Sequence, residues 1–324
     1  MDEKIYFSLN SPDKLLPKQT GNDGNAFHAL NGSCTSDTIQ PVILETVQND
    51  SFGHSYVWRM CNRGNKHDGL FQPKGLAIDN GTEIIYVADC MNHRIQSFNK
   101  HGAHLNALKS SLLTYPWGII VHGEFLYITC CTFDKNYLLK LCKRTGDEVK
   151  MVASESWLAG LDIDSLGNIY ACEVNNFLQV FDDSLNLTKK IKLQSDYIKE
   201  DTDVWDVKII SDEFVYILCE GSQYPVQLFN MKGKLLKCVI HQSETSRGYF
   251  FHIDSDQNIL ISDNHESVIR MFNKKGDLIL VLGAKEKING EDILKTPTGI
   301  SLNYDGNIVV CDDKLTHALQ TLLT

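Results

Sequence analysis

Six times along this chain a short apolar strand is followed, at a near-constant distance, by a second strand rich in β-branched and aromatic residues. The first unit, Phe71–Gly102, reads FQPKGLAIDNGTEIIYVADCMNHRIQSFNKHG. It holds an apolar strand at Gly75–Asp79, an Asn-Gly turn and a strand at Ile84–Asp89. After a loop at Met91–His93 come an alternating strand at Arg94–Phe98 and a turn at Asn99–Gly102. The first strand returns as GIIV (Gly118–Val121), GLDI (Gly160–Ile163), DVKI (Asp206–Ile209), FFHI (Phe250–Ile253) and GISL (Gly299–Leu302), at spacings of 43, 42, 46, 44 and 49 residues. The second returns as LYITC, IYACE, VYILC, ILISD and IVVCD, and the third as YLLKL, LQVF, VQLF, VIRMF and ALQTL. Fourth strands follow as HLNALK, EVKMVA, LTKKIKL, KLLKCVI and DLILVLG. Four strands per unit of 40–50 residues predict an all-β fold, a six-bladed β-propeller of four-stranded antiparallel blades.

The ends of the repeat predict how the ring closes. The sixth unit finishes its third strand at Leu322, two residues before the end of the sequence, and has no fourth strand. The apolar piece Tyr56–Cys61 precedes the first unit as DLILVLG precedes the sixth. It is therefore expected to pair with Ala318–Leu322 as the missing outer strand, leaving no raw edge between first and last blades. Residues 55–324 form the propeller in this reading. Residues 1–54, with their Gly, Asn, Ser, Asp and Pro clusters, form an irregular leader.

The residues of the first unit carry a resemblance. Pro73, Gly75, Asp79, Tyr86, Asp89, Asn92, His93, Arg94, Ile95 and Phe98 together resemble the NHL repeat, and the later units keep the pattern in weakened form. The Asn-His-Arg triplet is absent from them, and the position of Asp89 becomes Cys130, Glu173 and Cys219 in three units. The resemblance spans roughly residues 55–324. It implies an NHL propeller like those of tripartite-motif proteins and related ubiquitin-ligase and scaffold proteins. A zinc-binding RING or B-box cannot sit in residues 1–54, which hold the single Cys34. By resemblance alone the chain would be a substrate receptor for ubiquitin ligation, whose RING comes from a partner or from a segment outside this sequence.

Composition narrows the ligand. Net charge is −10 at 43% hydrophobic content, and no apolar run reaches the ~20 residues needed to span a bilayer. The start MDEKIYFSLN has no secretory pattern. The ten scattered cysteines, Cys130-Cys131 included, are expected to be reduced thiols in a cytoplasmic setting. The loops between second and third strands, and those between blades, share one face, where acids outnumber bases. A protein or peptide ligand on that acidic face ranks first. Single-stranded RNA, which some NHL propellers bind, ranks below it, because phosphates need cations.

Candidate binding residues lie on the same face. Trp117, Trp157 and Trp205 sit at first strands or their entries, and Asp196 and Asp203 lie in an acidic loop. Tyr224 lies in the loop after a second strand, and His93 and Arg94 in the first unit's equivalent loop, with His265 and His317 in equivalent loops of two others. The bland reading of the tryptophans is packing, and that of Asp89 is a carboxylate holding a turn through backbone N–H groups. The enzyme alternative draws on related six-bladed propellers, the peptidylglycine amidating lyase and gluconolactonase-like metal hydrolases. It would place metal ligands in the central channel, from among Asp162, Glu173, Asp206, His252, Asp263 and Asp312. His93, His265 and His317 lie in equivalent loops of three blades, but their offsets from the aligned strand ends differ, and no Ser/His/Asp arrangement, Cys/His pair or phosphate-cradling Gly loop stands out. The expectation is a chain with no catalytic residue, metal or cofactor.

Overall fold

The computed structural model describes residues 48–49, 55–132, 134–242, 245, 248–283, 287–288, 291–314 and 317–322. For 48–49, 55–62, 287–288, 291–292 and 317–318 it describes the backbone alone. Two units are distinguished, Met1–Pro41 and Val42–Thr324. The first, and most of the leader, lies outside the described residues.

The second unit is a ring of six antiparallel sheets. Ahead of the first blade lie β1 (Gln48–Asn49) and β2 (Ser55–Asn62). Blade 1 is β3 (Pro73–Asp79), β4 (Ile84–Asp89), β5 (Arg94–Phe98) and β6 (His104–Leu108). Blade 2 is β7 (Pro116–His122), β8 (Phe125–Cys131), β9 (Asn136–Cys142) and β10 (Glu148–Ser154). Blade 3 is β11 (Leu158–Ile163), β12 (Ile169–Glu173), β13 (Phe177–Phe181) and β14 (Leu187–Lys192). Blade 4 is β15 (Asp203–Ile209), β16 (Phe214–Glu220), β17 (Val226–Asn230) and β18 (Leu235–Ile240). Blade 5 is β19 (Gly248–Ile253), β20 (Ile259–Asp263), β21 (Val268–Phe272) and β22 (Leu278–Leu282). A short hairpin, β23 (Lys287–Ile288) and β24 (Glu291–Asp292), leads to blade 6: β25 (Pro297–Leu302), β26 (Ile308–Asp312) and β27 (His317–Leu322).

The innermost strands β3, β7, β11, β15, β19 and β25 touch one another in that order, and β25 returns to β3. In blades 1 and 2 their approach leaves no room for a side chain at the position that is glycine in four of the six inner strands. A Cβ on Gly75 would lie 2.7 Å from the Trp117 carbonyl oxygen, and one on Gly118 2.7 Å from that of Ala159. Glycine recurs there because the next blade's backbone fills the space.

Each blade buries its faces against its neighbours. Tyr86 and Ile95 of blade 1 pack with Ile119 and Leu139 of blade 2, and Tyr170 and Val180 of blade 3 pack with Val207 and Phe229 of blade 4. Between blades 6 and 1, Leu76, Val87 and Phe98 pack with Val309, Cys311 and Leu319. The ring closes as the repeat predicted: β2 supplies the outer strand of blade 6, with Arg59 opposite Gln320 and Met60 opposite Leu319. β1 adds a two-residue rung outside it.

The upper face carries the loops between second and third strands and between blades. Its corners are held by buried carboxylates at the ends of second strands. Asp89 accepts the Phe71 N–H at 2.7 Å, Asn92 Nδ2 at 2.8 Å and Arg94 Nε at 2.7 Å. Arg94, itself buried, donates onward to the carbonyls of Lys66 and Gly69. Asp263 repeats the corner with the N–H groups of His265 and Glu266 and with Arg270, and Asp312 with those of Lys295, Thr296 and Lys314. Glu173 takes Gln179 and Lys190. These donors satisfy carboxylates that burial would otherwise destabilise.

Two expected outcomes follow from closure and corner. Deleting residues through Arg63 removes β2 and should lower the melting temperature by more than about 10 °C. Deletion through Pro41 should leave it in place, and equal melts for the two truncations would contradict closure by β2. Asp89→Ala leaves the Arg94 guanidinium buried without its carboxylate and should cost about 3 kcal/mol or more in chemical denaturation.

Candidate functional site at the upper channel mouth

Strand register aligns the six inner strands position by position. One column consists of Lys74, Trp117, Ala159, Trp205, Tyr249 and Thr298, the residues just before the glycine position. Three sequence candidates converge here. Trp117 and Trp205 stack with ring centroids 5.6 Å apart, and Trp157, from the entry to blade 3, meets both edge-on at 5.1 Å. Tyr249 closes the group at 5.6 Å from Trp117 and 4.9 Å from Trp205.

Trp117 and Trp205 are buried, while Trp157 and Tyr249 are half-buried and form the solvent side of the cluster. The Lys74 ammonium lies inside, 5.2 Å from the Trp117 ring centre and 5.8 Å from that of Tyr249. Such contacts favour a desolvated cation. The Trp117 indole N–H has no acceptor among the described residues.

The rim owes its chemistry to a lapse in the repeat. In blade 4 the corner position holds Cys219 rather than a carboxylate, and the acid stands one residue later, as Glu220. There it accepts the Trp205 indole N–H at 2.9 Å and sits opposite Asp203 across the β15–β16 pair. Burial first, then Glu220 and Asp201, push the Asp203 carboxyl up to about 6. Asp196, Glu200 and Asp201 are exposed on the same inter-blade loop.

Gln227 ties this loop to its neighbour, donating to Ser222 and to the Tyr224 carbonyl while accepting from Ser195. Tyr224 stands edge-on between Tyr197, at 4.7 Å, and His241, at 5.3 Å. Beneath Glu220, residues Cys219, Ser222, Thr245 and Gly248 line a cavity of about 10 Å³, the room one water needs.

The remaining candidates lie elsewhere. Arg94 belongs to the blade 1 corner. His93, in the left-handed region at φ 52°, accepts the Tyr115 N–H and packs edge-on against that ring at 4.4 Å. His265 pairs with Glu266 in blade 5. The side chain of His317 lies outside the described residues. Half-buried Cys131 has its thiol pushed up to about 12 by burial, and eight described cysteines, Cys130 and Cys131 among them, are free thiols.

A second column lies lower in the channel: Ala77, Ile120, Asp162, Lys208, His252 and Ser301. Lys208 Nζ donates to both Asp206 oxygens, at 3.1 and 3.0 Å. Asp162 accepts the Ile209 N–H at 2.7 Å. Burial and the Lys208 charge hold His252 down at about 4. The channel carboxylates thus face a lysine. Glu173, Asp263 and Asp312 are taken up in blade corners, and the described residues contain no group of three His, Cys, Asp or Glu placed to hold a metal.

No family model matches the chain. Among solved structures, hydrazine synthase of Kuenenia stuttgartiensis is similar at 12% identity and a TM-score of 0.59, over 79% of this chain and 96% of that one. A gluconolactonase of Xanthomonas campestris is similar at 11% identity and a TM-score of 0.59, over 89% and 95%. The WD40 β-propeller domain of Doa1 is similar at 11% and 0.56, over 83% and 88%. At such identities the likeness establishes the β-propeller fold and nothing finer. No helix among the described residues is long and apolar enough to cross a membrane.

Linkage fixes the sign of one outcome at the rim. Unfolded Asp203 titrates at the ordinary carboxylate value, 3.8, and folded Asp203 at about 6. Between the two the native state holds the extra proton, so stability falls as pH rises through that window and stays lowered above it. Asp203→Asn should therefore raise the melting temperature at about pH 7.5, with the gain vanishing near pH 4. A gain equal at both pH values would contradict the assignment.

Proposed function

We propose that this chain is an NHL-type propeller acting as a non-catalytic interaction module, a scaffold or substrate receptor that holds a segment of a partner protein on the upper face of blades 3 to 5. One observation carries this reading: Glu220 is displaced from the corner to stand opposite Asp203, where it holds the Trp205 indole that packs on half-buried Trp157 and Tyr249. Two carboxylates beside aromatic rings suit a guanidinium or ammonium side chain, which gains from both hydrogen bonding and the ring quadrupole. Aromatic anchors in a partly enclosed mouth with a charged rim resemble the centre of a protein interface. A role beside a ubiquitin ligase and a cytoplasmic setting belong to the same proposal and rest on the NHL resemblance alone.

The same charges weigh against nucleic acid. Phosphates would meet Asp196, Glu200, Asp201, Asp203 and Glu220 on a chain of net charge −10, where RNA affinity needs released counterions and stacking platforms.

An array of basic and neutral 12-residue peptides probed with the purified chain tests the proposal. Retention on Arg- or Lys-containing peptides is expected. It should fall at least about tenfold in Trp157→Ala and in the double variant Asp203→Asn/Glu220→Gln. Retention indifferent to these substitutions, or salt-sensitive submicromolar binding to RNA in their place, would overturn it.

A further inference from the structure

Outer strands leave backbone N–H and C=O groups unpaired along the outward edge of each sheet, and proteins protect such edges with charge. Most outer strands here follow that rule. β10 carries Glu148 and Lys150, β14 carries Lys189, Lys190 and Lys192, and β18 carries Lys237. β6 carries His104 and Asn106, with the Asn106 side chain folded onto the Ala107 N–H. The outer edge of β2 is met by β1.

β22 is different. Its sequence is Leu-Ile-Leu-Val-Leu, without a polar residue, and its outer edge pairs with no strand among the described residues. Leu278 is 42% exposed and Ile279 51%. The register shift between β21 and β22 also occurs between third and fourth strands in blades 1, 3 and 4, so it is part of the blade geometry and no special guard.

We propose that β22 is the edge through which two copies of this chain associate, by antiparallel pairing about a two-fold axis. Self-pairing sets each residue opposite its symmetry counterpart. Centred on Leu280, it places Leu278 opposite Leu282, Ile279 opposite Val281 and Leu280 opposite itself, and every cross-strand contact is apolar. The same operation on β14 would set Lys189 opposite Lys190, and like charges directly opposite destabilise a pair of strands. The edge is thus self-complementary where lysine-rich β14 is self-repelling. A five-residue strand buries less than a standard interface, so the dimer is weak and forms at high protein concentration. This surface lies at the ring's rim, apart from the channel mouth, and the inference does not depend on the proposed ligand.

Sedimentation velocity on the full chain, from about 5 to about 300 µM, tests it. The wild type should move towards the dimer across this range, and Ile279→Lys should stay monomeric with an unchanged melting temperature. Hydrogen exchange should show the outward β22 amides open at the lowest concentration and protected at the highest. A wild type monomeric throughout, or dimers that survive Ile279→Lys, would overturn the proposal. Amides already protected in the monomer would do the same, because another segment of the chain would then occupy the edge.

Discussion

A blade of this propeller has two apolar faces and no way to cover either by itself. Tyr86 needs Ile119 and Leu139, Tyr170 needs Val207 and Phe229, and the demand passes from blade to blade until the ring meets itself. The junction between blades 6 and 1 is therefore the contact on which the others depend. It is made twice over: Phe98, Val87 and Leu76 against Val309, Cys311 and Leu319 between the faces, and β2 hydrogen-bonded to β27 along the edge. The strand pairing ties residues some 260 positions apart to one sheet, so opening the ring needs both packing and backbone hydrogen bonds to be lost together.

Within the closed ring, sameness and difference carry different information. Asp89, Glu173, Asp263 and Asp312 recur because every blade must turn its chain at the end of a second strand, and a buried carboxylate is a compact acceptor for the N–H groups exposed there. The cation that completes the corner is less constrained. In blade 1 it is Arg94, the first residue of β5, and in blade 5 it is Arg270, the third residue of β21. Blade 4 gives up the corner carboxylate altogether, and its acid moves one residue outward to meet Trp205 and Asp203. A residue freed from a structural duty that its counterparts perform is available for another, and the lapse coincides with the aromatic mouth.

Much of the fold was legible in the sequence because it is written in differences of position. A period of 42 to 49 residues, four strand patterns per period and an orphan strand at Tyr56–Cys61 suffice to define six blades and the closure. The convergence of Trp117, Trp157 and Trp205 was half-legible. Their place at strand entries marks the loop-bearing face, but how near they stand depends on the radius of the ring, and that is set by the inner-strand contacts at Gly75 and Gly118. Lys74 went unread although it shares a column with Trp117 and Trp205, because a lysine in a strand is ordinarily a solvated residue. Glu220 is hard to read from sequence, since aligning second strands on Cys219 hides a one-residue displacement. Sequence also overstates the acidity of that face, because Glu173, Asp263, Asp312 and Asp313 are buried.

The two columns of the channel bear on how far an enzyme's name among similar propellers can be carried. A site in the channel needs groups from several blades that converge and remain unpaired until a ligand arrives. In the upper column the converging groups are aromatic rings already packed on one another, with the chain's own ammonium between two of them. At the lower level Lys208 faces the carboxylates of Asp162 and Asp206, and burial first, then the charge on that lysine, keep His252 neutral. At both levels groups of the chain already contact one another, while the Trp117 indole N–H has no acceptor among the described residues. Outside both columns, at the rim of blades 3 and 4, Glu220 stands opposite Asp203 and holds the Trp205 indole that packs on half-buried Trp157, and this grouping is what supports the proposed recognition surface on the loops of blades 3 to 5.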